Sequence, residues 1–407
     1  MSTNTLLTPT IIARRGLMLL KNNLVMGAKV RRTYQNEFVK IGDTVSVRRP
    51  IEFSVTDGAT LAEQDITEGK FTIQISKRKH VGMAFTTQDL TLTIDQFSER
   101  YLQPAIVQLA HQVDSDLTAL YKNVWNWVGT PGQNIDAFSD FAKGPERLDL
   151  MAVPQNDRMA VLSPSDYWAF VGSQTALYAP NIVGQAYRSG DLGPVGNIET
   201  SMSQQVQTHT VGALGGTPLV NGASQNVTYA ASKDTNYQNL VTDGWTNTTG
   251  AIAAGDVFTI ANVYSVNPRT KVSTGQLQNF VAVSAATANG SGNMTISISP
   301  AIITSGPYQT VNAAPADNAA LTLKGTAATG YAQNLIFHRD AFQLVTVPLE
   351  TDPSMGFAAR ATDDQTGLSI RIAKDYDITN DKIVTRLDIL YGVKALRPEL
   401  ATRISGT

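Results

Sequence analysis

The side chains that most often do chemistry are few here, and poorly spaced for it. Four histidines occur, His80, His111, His209 and His338, and none stands at ligand spacing to another. His111 lies near Asp114 and invites a His–carboxylate pair, yet a structural or solvated histidine is expected. Asp114 and Asp116 are two residues apart, and such positions point to different sides of a helix, so a paired-carboxylate site is not expected. Gly190, Gly193 and Gly196 recur every third residue but lack the strand–helix context and the Lys-Ser/Thr ending of a phosphate loop, and Gly212 to Gly216 fails the same tests. Neither a Gly-x-Ser-x-Gly elbow nor a His-Glu-x-x-His pattern occurs. Cysteine is absent, which removes disulfides, thiolate metal sites and cysteine nucleophiles together. Trp125 and Trp127 could stack a ligand, although core or interface packing is the expected role. Lys77-Arg78-Lys79-His80 is a short basic run without interleaved aromatics, which suits a solvated or intersubunit face better than a nucleic-acid site. No catalytic, cofactor-binding or metal-ligating residue is nominated, no cofactor is implied, and an enzyme is not expected.

The elements that would have to position a site are more informative. The chain has 407 residues, which suggests two or three domains. Its net charge of −2 excludes a globally basic nucleic-acid binder. Charged residues are only 16%, which is low for a chain exposing an ordinary surface and suggests that much of it is covered by partners. No apolar run is long enough for a membrane helix, so no membrane partner is expected. The start, Met1 to Thr5, has no basic region leading into an apolar run, and a cytoplasmic product is expected.

Charge is unevenly spread. Residues 203–330 carry eight charged side chains in 128, against 58 in the other 279. Short β-type runs such as Val257–Ile260, Phe280–Val283 and Met294–Ile298 are separated by turn signals, which predicts a small β-barrel or sandwich set into another domain. The first fifty residues hold nine basic and two acidic residues, net +7. Gly16 and Gly27 weaken an amphipathic helix between Ile11 and Val25, so this stretch reads as an arm that orders on a partner.

Residues 42–85 read as a long β-hairpin with a mostly polar projecting tip, Thr56 to Lys70, which nothing within the chain would support. Leu102, Ile106, Leu109, Val113, Leu117, Leu120, Val124 and Val128 recur at helical spacing and predict a spine helix over 98–128. Arg158–Leu162 reads as a strand. Ser163-Pro164-Ser165-Asp166 reads as a helix start, with Ser163 the cap and Pro164 the first position. Gly367–Ile372 and Ile383–Tyr391 alternate as strands, with charges on the polar face of the second.

Leu390-Tyr391-Gly392-Val393-Lys394-Ala395-Leu396-Arg397-Pro398-Glu399 is similar to the terminal Trp-Tyr-Gly-Val-Asn-Ala-Thr-Arg-Pro-Glu of the major coat proteins of tailed bacteriophages. Asn334–Phe342 followed by Val347-Pro348 resembles that family's re-entry segment. Leu162–Tyr167 resembles its Asn-Pro-x-Asp-Tyr stretch, and Gly255-Asp256 the inserted barrel. The resemblance is to the P22-like branch of the HK97-like capsid fold. It implies an α+β chain with an N-terminal arm at 1–41, an extended hairpin (E-loop) at 42–85 and a peripheral (P) domain at 86–165. It further implies an A domain beginning at 166–214, an inserted β-barrel (I) domain at 215–330, and A-domain and C-terminal strands at 331–407.

The resemblance implies a major capsid protein that self-assembles as pentamers and hexamers into a closed icosahedral shell. Its implied partners are scaffolding protein during assembly, a portal protein at one vertex, and packaged double-stranded DNA bound without sequence specificity. The implied location is the virion, after assembly in the host cytoplasm and expansion as DNA enters. Arg48, Arg49, Glu52, Glu63, Lys77, Arg78 and Lys79 are candidates for pairing between subunits, and Arg14, Arg15, Arg31 and Arg32 for the inner face. Some relatives of the fold join neighbours by a lysine–asparagine bond. Lys40 and Lys70 have no matched motif for it, so a noncovalent strap is expected. The alternative is a β-rich phage tail or surface-adhesion binding protein, which would account for the insert but not for the spine helix or the arm.

Overall fold

The computed structural model describes residues 9–32, 44–53, 55, 58–59, 63, 66–86, 101–174, 190, 192–351, 357–363 and 367–407. The chain divides into two units: Met1–Ser46, Thr72–Leu117 and Phe342–Lys394 form one, and Val47–Phe71, Thr118–Ala341 and Ala395–Thr407 the other.

The first unit is built on a five-stranded sheet of Phe342–Thr346, Lys382–Ala395, Ser369–Asp377, Phe357–Thr362 and Lys77–Thr86. Helix α1 (Pro9–Asn23) packs on Phe357–Thr362 and Ser369–Asp377. Ala13, Leu17, Leu20 and Leu24 recur at three-to-four spacing and are buried, whereas Arg14, Arg15 and Met18 face outward. Thus the described part of the arm packs a core within its own chain. Gly16 is the reason it fits. A Cβ there would lie 3.0 Å from Ile106 Cδ1, so the glycine that lowers helix propensity also lets α1 approach α3 (Gln103–Thr118) closely. A short helix, α2 (Met26–Lys29), follows α1, and the Arg31 backbone then exchanges hydrogen bonds with Phe342 and Leu344.

Helix α3 buries Ala105, Ile106, Leu109, Val113 and Leu117 along one stripe, as its periodicity requires. It ends earlier than that periodicity suggests. A 3₁₀ turn, Ala119–Asn123, follows, and Trp127–Val128 is a strand pairing in parallel with Arg403 and Ile404. Val124, Trp125 and Trp127 are buried because the extended segment enters a sheet. The helical spacing of Val124 and Val128 is incidental. The expected start of the spine helix at residue 98 lies outside the described residues, as does the Thr56-Asp57 start of the hairpin tip.

The hairpin is shorter than its sequence implies. Thr44–Arg48 pairs with Lys70–Gln74, whose Phe71 and Ile73 are buried in alternation. Lys77–Thr86 instead joins the body sheet, antiparallel to Lys382–Tyr391. The switch occurs where Gly392 meets the backbone of Gln74; a Cβ there would lie 2.5 Å from the Gln74 carbonyl oxygen.

The second unit holds two six-stranded sheets. One is mixed, in the order Trp127–Val128, Ala401–Ile404, Asn334–His338, Arg158–Leu162, Ile198–Met202, Pro194–Val195. Beside it lie α4 (Phe138–Leu150) and α5 (Pro164–Gln174). The start of α5 is closed as its sequence indicates: the Asp166 N–H donates to Ser163 Oγ at 3.2 Å, and the Ser163 hydroxyl donates back to Asp166 Oδ2 at 2.6 Å. The other sheet is antiparallel, in the order Leu321–Leu323, Val257–Val266, Ser273–Ala282, Met294–Ser299, Gln238–Trp245, Gly216–Val220. Its ends meet through Leu219 and Ala320, so it nearly closes into a barrel. Val220, Leu240, Phe258, Ile260, Phe280, Ile296 and Ile298 fill its interior. Thr208–Thr210 and Gly330–Ala332 pair with each other, so the chain enters and leaves the barrel side by side.

Candidate assembly surfaces and barrel anchor

The charged residues of the hairpin are occupied mostly within the chain. Arg48 reaches Glu68 at 3.6 Å on the surface. Arg49 lies 5.3 Å from the Phe71 ring centroid and 5.9 Å from that of Tyr229, a cation–π arrangement, and Tyr229 stacks on Tyr308. The Glu52 carboxylate is 3.6 Å from Lys271, and its backbone N–H donates to the Tyr308 hydroxyl. The Lys70 N–H donates to Asp234. The hairpin base therefore rests on the barrel of its own chain. In the other unit, Lys77 bonds Asp116 at 2.9 Å, and Arg78 approaches Asp388 at 3.5 Å. Lys79 is half-buried opposite Ile389, and Glu63 is exposed.

The hairpin also leaves apolar side chains outside. Ile51, Phe53, Val55 and Ile66 are exposed, Phe53 at 62% and Val55 at 96%. Ile51, Phe53 and Val55, just before the Thr56–Lys70 tip, alternate in sequence with period two.

The barrel is tied to the body by buried polar groups from distant parts of the chain. His209, on the entry strand, donates from Nε2 to Asp256 Oδ1 at 2.7 Å and pairs through Nδ1 with the Tyr121 hydroxyl at 3.0 Å. Asp256 Oδ2 accepts the N–H groups of Gly212 and Ala253. Arg403, fully buried, donates to the Gly255 carbonyl at 2.8 Å and to Gln333, and lies over the Tyr121 and Trp127 rings. Burial pushes its guanidinium down to about 9. Trp125 and Trp127 are core residues, and Trp127 Nε1 donates to Ser405. The only sequence signal for this cluster was the Gly255-Asp256 pair.

Asp114 and Asp116 part ways as their spacing demands. Asp116 takes Lys77 and the Tyr391 hydroxyl, whereas buried Asp114 accepts the backbone N–H groups of Val25 and Gly27 at 2.6 and 2.8 Å. Burial raises Asp114 to about 6, against the opposing pull of these N–H groups and of His111. The folded value lies above the unfolded 3.8, so this group stabilises the fold below pH 4 and loses that contribution as pH rises through 6. The shift corresponds to about 3 kcal/mol. Urea unfolding at pH 5 and pH 7.5 is expected to show a pH-dependent stability difference in the natural protein that Asp114→Asn flattens. Equal pH dependence in both proteins would contradict this.

The model of the family described as "P22 coat protein - gene protein 5" matches residues 1–406. No curated protein matches in sequence. Among solved structures, a Mycobacterium phage Che8 chain is 12% identical, with a TM-score of 0.49 over 94% of this chain and 92% of that one. A chain of the bacteriophage PhiM1 mature capsid is 13% identical, with a TM-score of 0.43 over 89% and 82%. A CUS-3 coat protein I-domain is 29% identical across 97% of its own length and 28% of this chain, with a TM-score of 0.20. The tail or adhesion alternative gives way to the whole-chain family match: this α+β chain, HK97-like with an inserted small β-barrel, belongs to the P22 coat protein family and is a major capsid protein of a phage shell.

Proposed function

We propose that the subunit closes its shell chiefly through the exposed apolar side chains of the hairpin, which lie over a neighbouring subunit. The carrying observation is the exposure of Ile51, Phe53, Val55 and Ile66 beside a base whose charges are already engaged. Burying a side chain of this size contributes about 1.5–3 kcal/mol, more than an exposed ion pair at about 0–1 kcal/mol. On this reading Arg48, Glu63 and Lys79 supply only rim pairing, and Arg49, Glu52, Lys77 and Arg78 hold the hairpin and body strand in place within the subunit.

The outward cations Arg14 and Arg15 on α1 face scaffolding protein or packaged DNA, with Arg31 and Arg32 at the end of the same segment. Pentamers and hexamers assemble in the host cytoplasm on a scaffold, with a portal at one vertex, and expand as DNA enters. The insert at 215–330 braces its own subunit, and the protein acts by assembly rather than catalysis. The barrel's separate core and its paired entry and exit strands support that division.

Phe53→Asp with Val55→Asp tests the strap. Both side chains are exposed, so monomer unfolding should shift by no more than about 0.5 kcal/mol. Sedimentation and electron microscopy should show subunits without closed shells. Normal shells from the double variant would refute the proposal.

A further inference from the structure

A second cluster of cations has no part in the reading above. Arg147, on α4, is 2% exposed. Its Nε donates to Asn126 at 3.1 Å, and its Nη1 donates to Gln276 at 2.8 Å and Ser265 at 3.3 Å. Its buried Nη2 meets no protein acceptor. Lys324 donates from Nζ to the Trp127 carbonyl. Among the described residues, neither cation has a carboxylate within ion-pair distance. Both line a cavity of about 330 Å³ together with Lys143, Glu146, Gln276 and Asn279. Three cations thus surround this space, with the exposed Glu146 as the one acid.

Buried cations are ordinarily paired, because an uncompensated charge in a low-dielectric interior is costly. Burial lowers Lys324 to about 8, the nearby Arg147 adding to the effect, and burial lowers Arg147 to about 10. A water in this space would leave the charges uncompensated, and the space is larger than one water requires, about 10–15 Å³ on the same measure. An oxyanion meets both needs at once, accepting hydrogen bonds and supplying the missing charge.

We infer that the cavity between α4 and strand Ser273–Ala282 is a phosphate-class oxyanion site, held by the Arg147 guanidinium and Lys324 Nζ with Lys143 alongside. The site spans a body helix and a barrel strand, so an occupied site would brace the barrel. The phosphate could be the free ion or a phosphodiester of packaged nucleic acid. The chemistry is shared.

The test uses the full-length protein with inorganic phosphate, compared with chloride at equal ionic strength. Phosphate should raise the melting temperature saturably and broaden its own ³¹P resonance. Lys324→Met should weaken binding by about tenfold or more, a difference of about 1.4 kcal/mol, while circular dichroism stays unchanged. If Arg147→Met fails to fold, Lys324→Met and Lys143→Met still decide the question. Amine labelling of Lys324 in phosphate-free buffer separates the sources. Protection confined to DNA-filled particles assigns the phosphate to nucleic acid, and protection of empty shells by added phosphate assigns it to the free ion. Identical melting in phosphate and chloride, unaltered binding by Lys324→Met, or no protection in either particle would overturn the proposal.

Discussion

Asp388→Ala is expected to destabilise the subunit by about 3–5 kcal/mol, the usual cost of removing one partner from a buried ion pair. Asp388 is fully buried on Lys382–Ala395 and faces Arg371 directly across the sheet at 2.5 Å. Arg386 reaches its other oxygen at 2.7 Å, and Arg78 approaches at 3.5 Å from the neighbouring strand. Arg371 is itself only 7% exposed and also donates to the Glu350 carbonyl, so the substitution leaves a guanidinium in the sheet interior without its carboxylate. Burial alone would raise the Asp388 carboxyl, but the hydrogen bonds from Arg371 and Arg386 outweigh it and hold the group below its ordinary value. The folded value is thus the lower one. The contribution is present in full above about pH 4 and is lost as pH falls through the depressed value. Urea unfolding of Asp388→Ala should give a lower midpoint at neutral pH, and the gap from the natural protein should narrow in acid. The double variant Arg371→Met with Asp388→Leu should recover most of the loss, since apolar replacements of a buried pair are often neutral or better. A loss below about 1 kcal/mol for Asp388→Ala would show that the pair is wetter than its burial indicates.

The second large effect is expected at Asp256. Asp256→Ala strips the acceptor from one buried and two part-buried donors at once: His209 Nε2, the Gly212 N–H and the Ala253 N–H. Each orphaned donor costs about 1–3 kcal/mol, and because the three share one carboxylate the sum is not additive. A total of about 3–5 kcal/mol is expected. The Ala253 bond closes the turn that leads into Val257–Val266, and the Gly212 bond fixes the chain as it approaches the barrel. The loss should therefore appear first as fluorescence change at Trp125 and Trp127, which pack against Val257 and Val281 beside this point. Asp256→Asn keeps one oxygen and should recover part of the stability. Asp256→Ala with a midpoint within about 0.5 kcal/mol of the natural protein would contradict the anchoring role.

Much of the architecture was legible from short-range pattern. The Ser163–Asp166 helix start, the Arg158–Leu162 strand and the barrel strands near 257, 280 and 294 each declare themselves within a few residues. Capping chemistry and side-chain alternation are local properties of the backbone. The sharp fall in charge over 203–330 marked the insert because its surface carries hydroxyl and amide groups instead.

Tertiary structure decided the rest, wherever one local pattern serves two geometries or the partner is remote. Val124 and Val128 satisfy a helical stripe equally well as part of an extended segment, and only pairing of Trp127 and Val128 with Arg403 and Ile404 chooses between them. Gly16 costs helix propensity in isolation, and becomes an asset only because Ile106 lies 3.0 Å from where its Cβ would be. The Lys77–His80 run reads as exposed basic charge until Asp116 and Asp388 are placed beside it. Arg147 meets Ser265 across 118 residues, and His209 meets Asp256 across 47. Such pairs leave no periodic trace, because no local backbone geometry links the two positions. Their partners are selected by which strands and helices pack together, and burial then makes each missing partner costly.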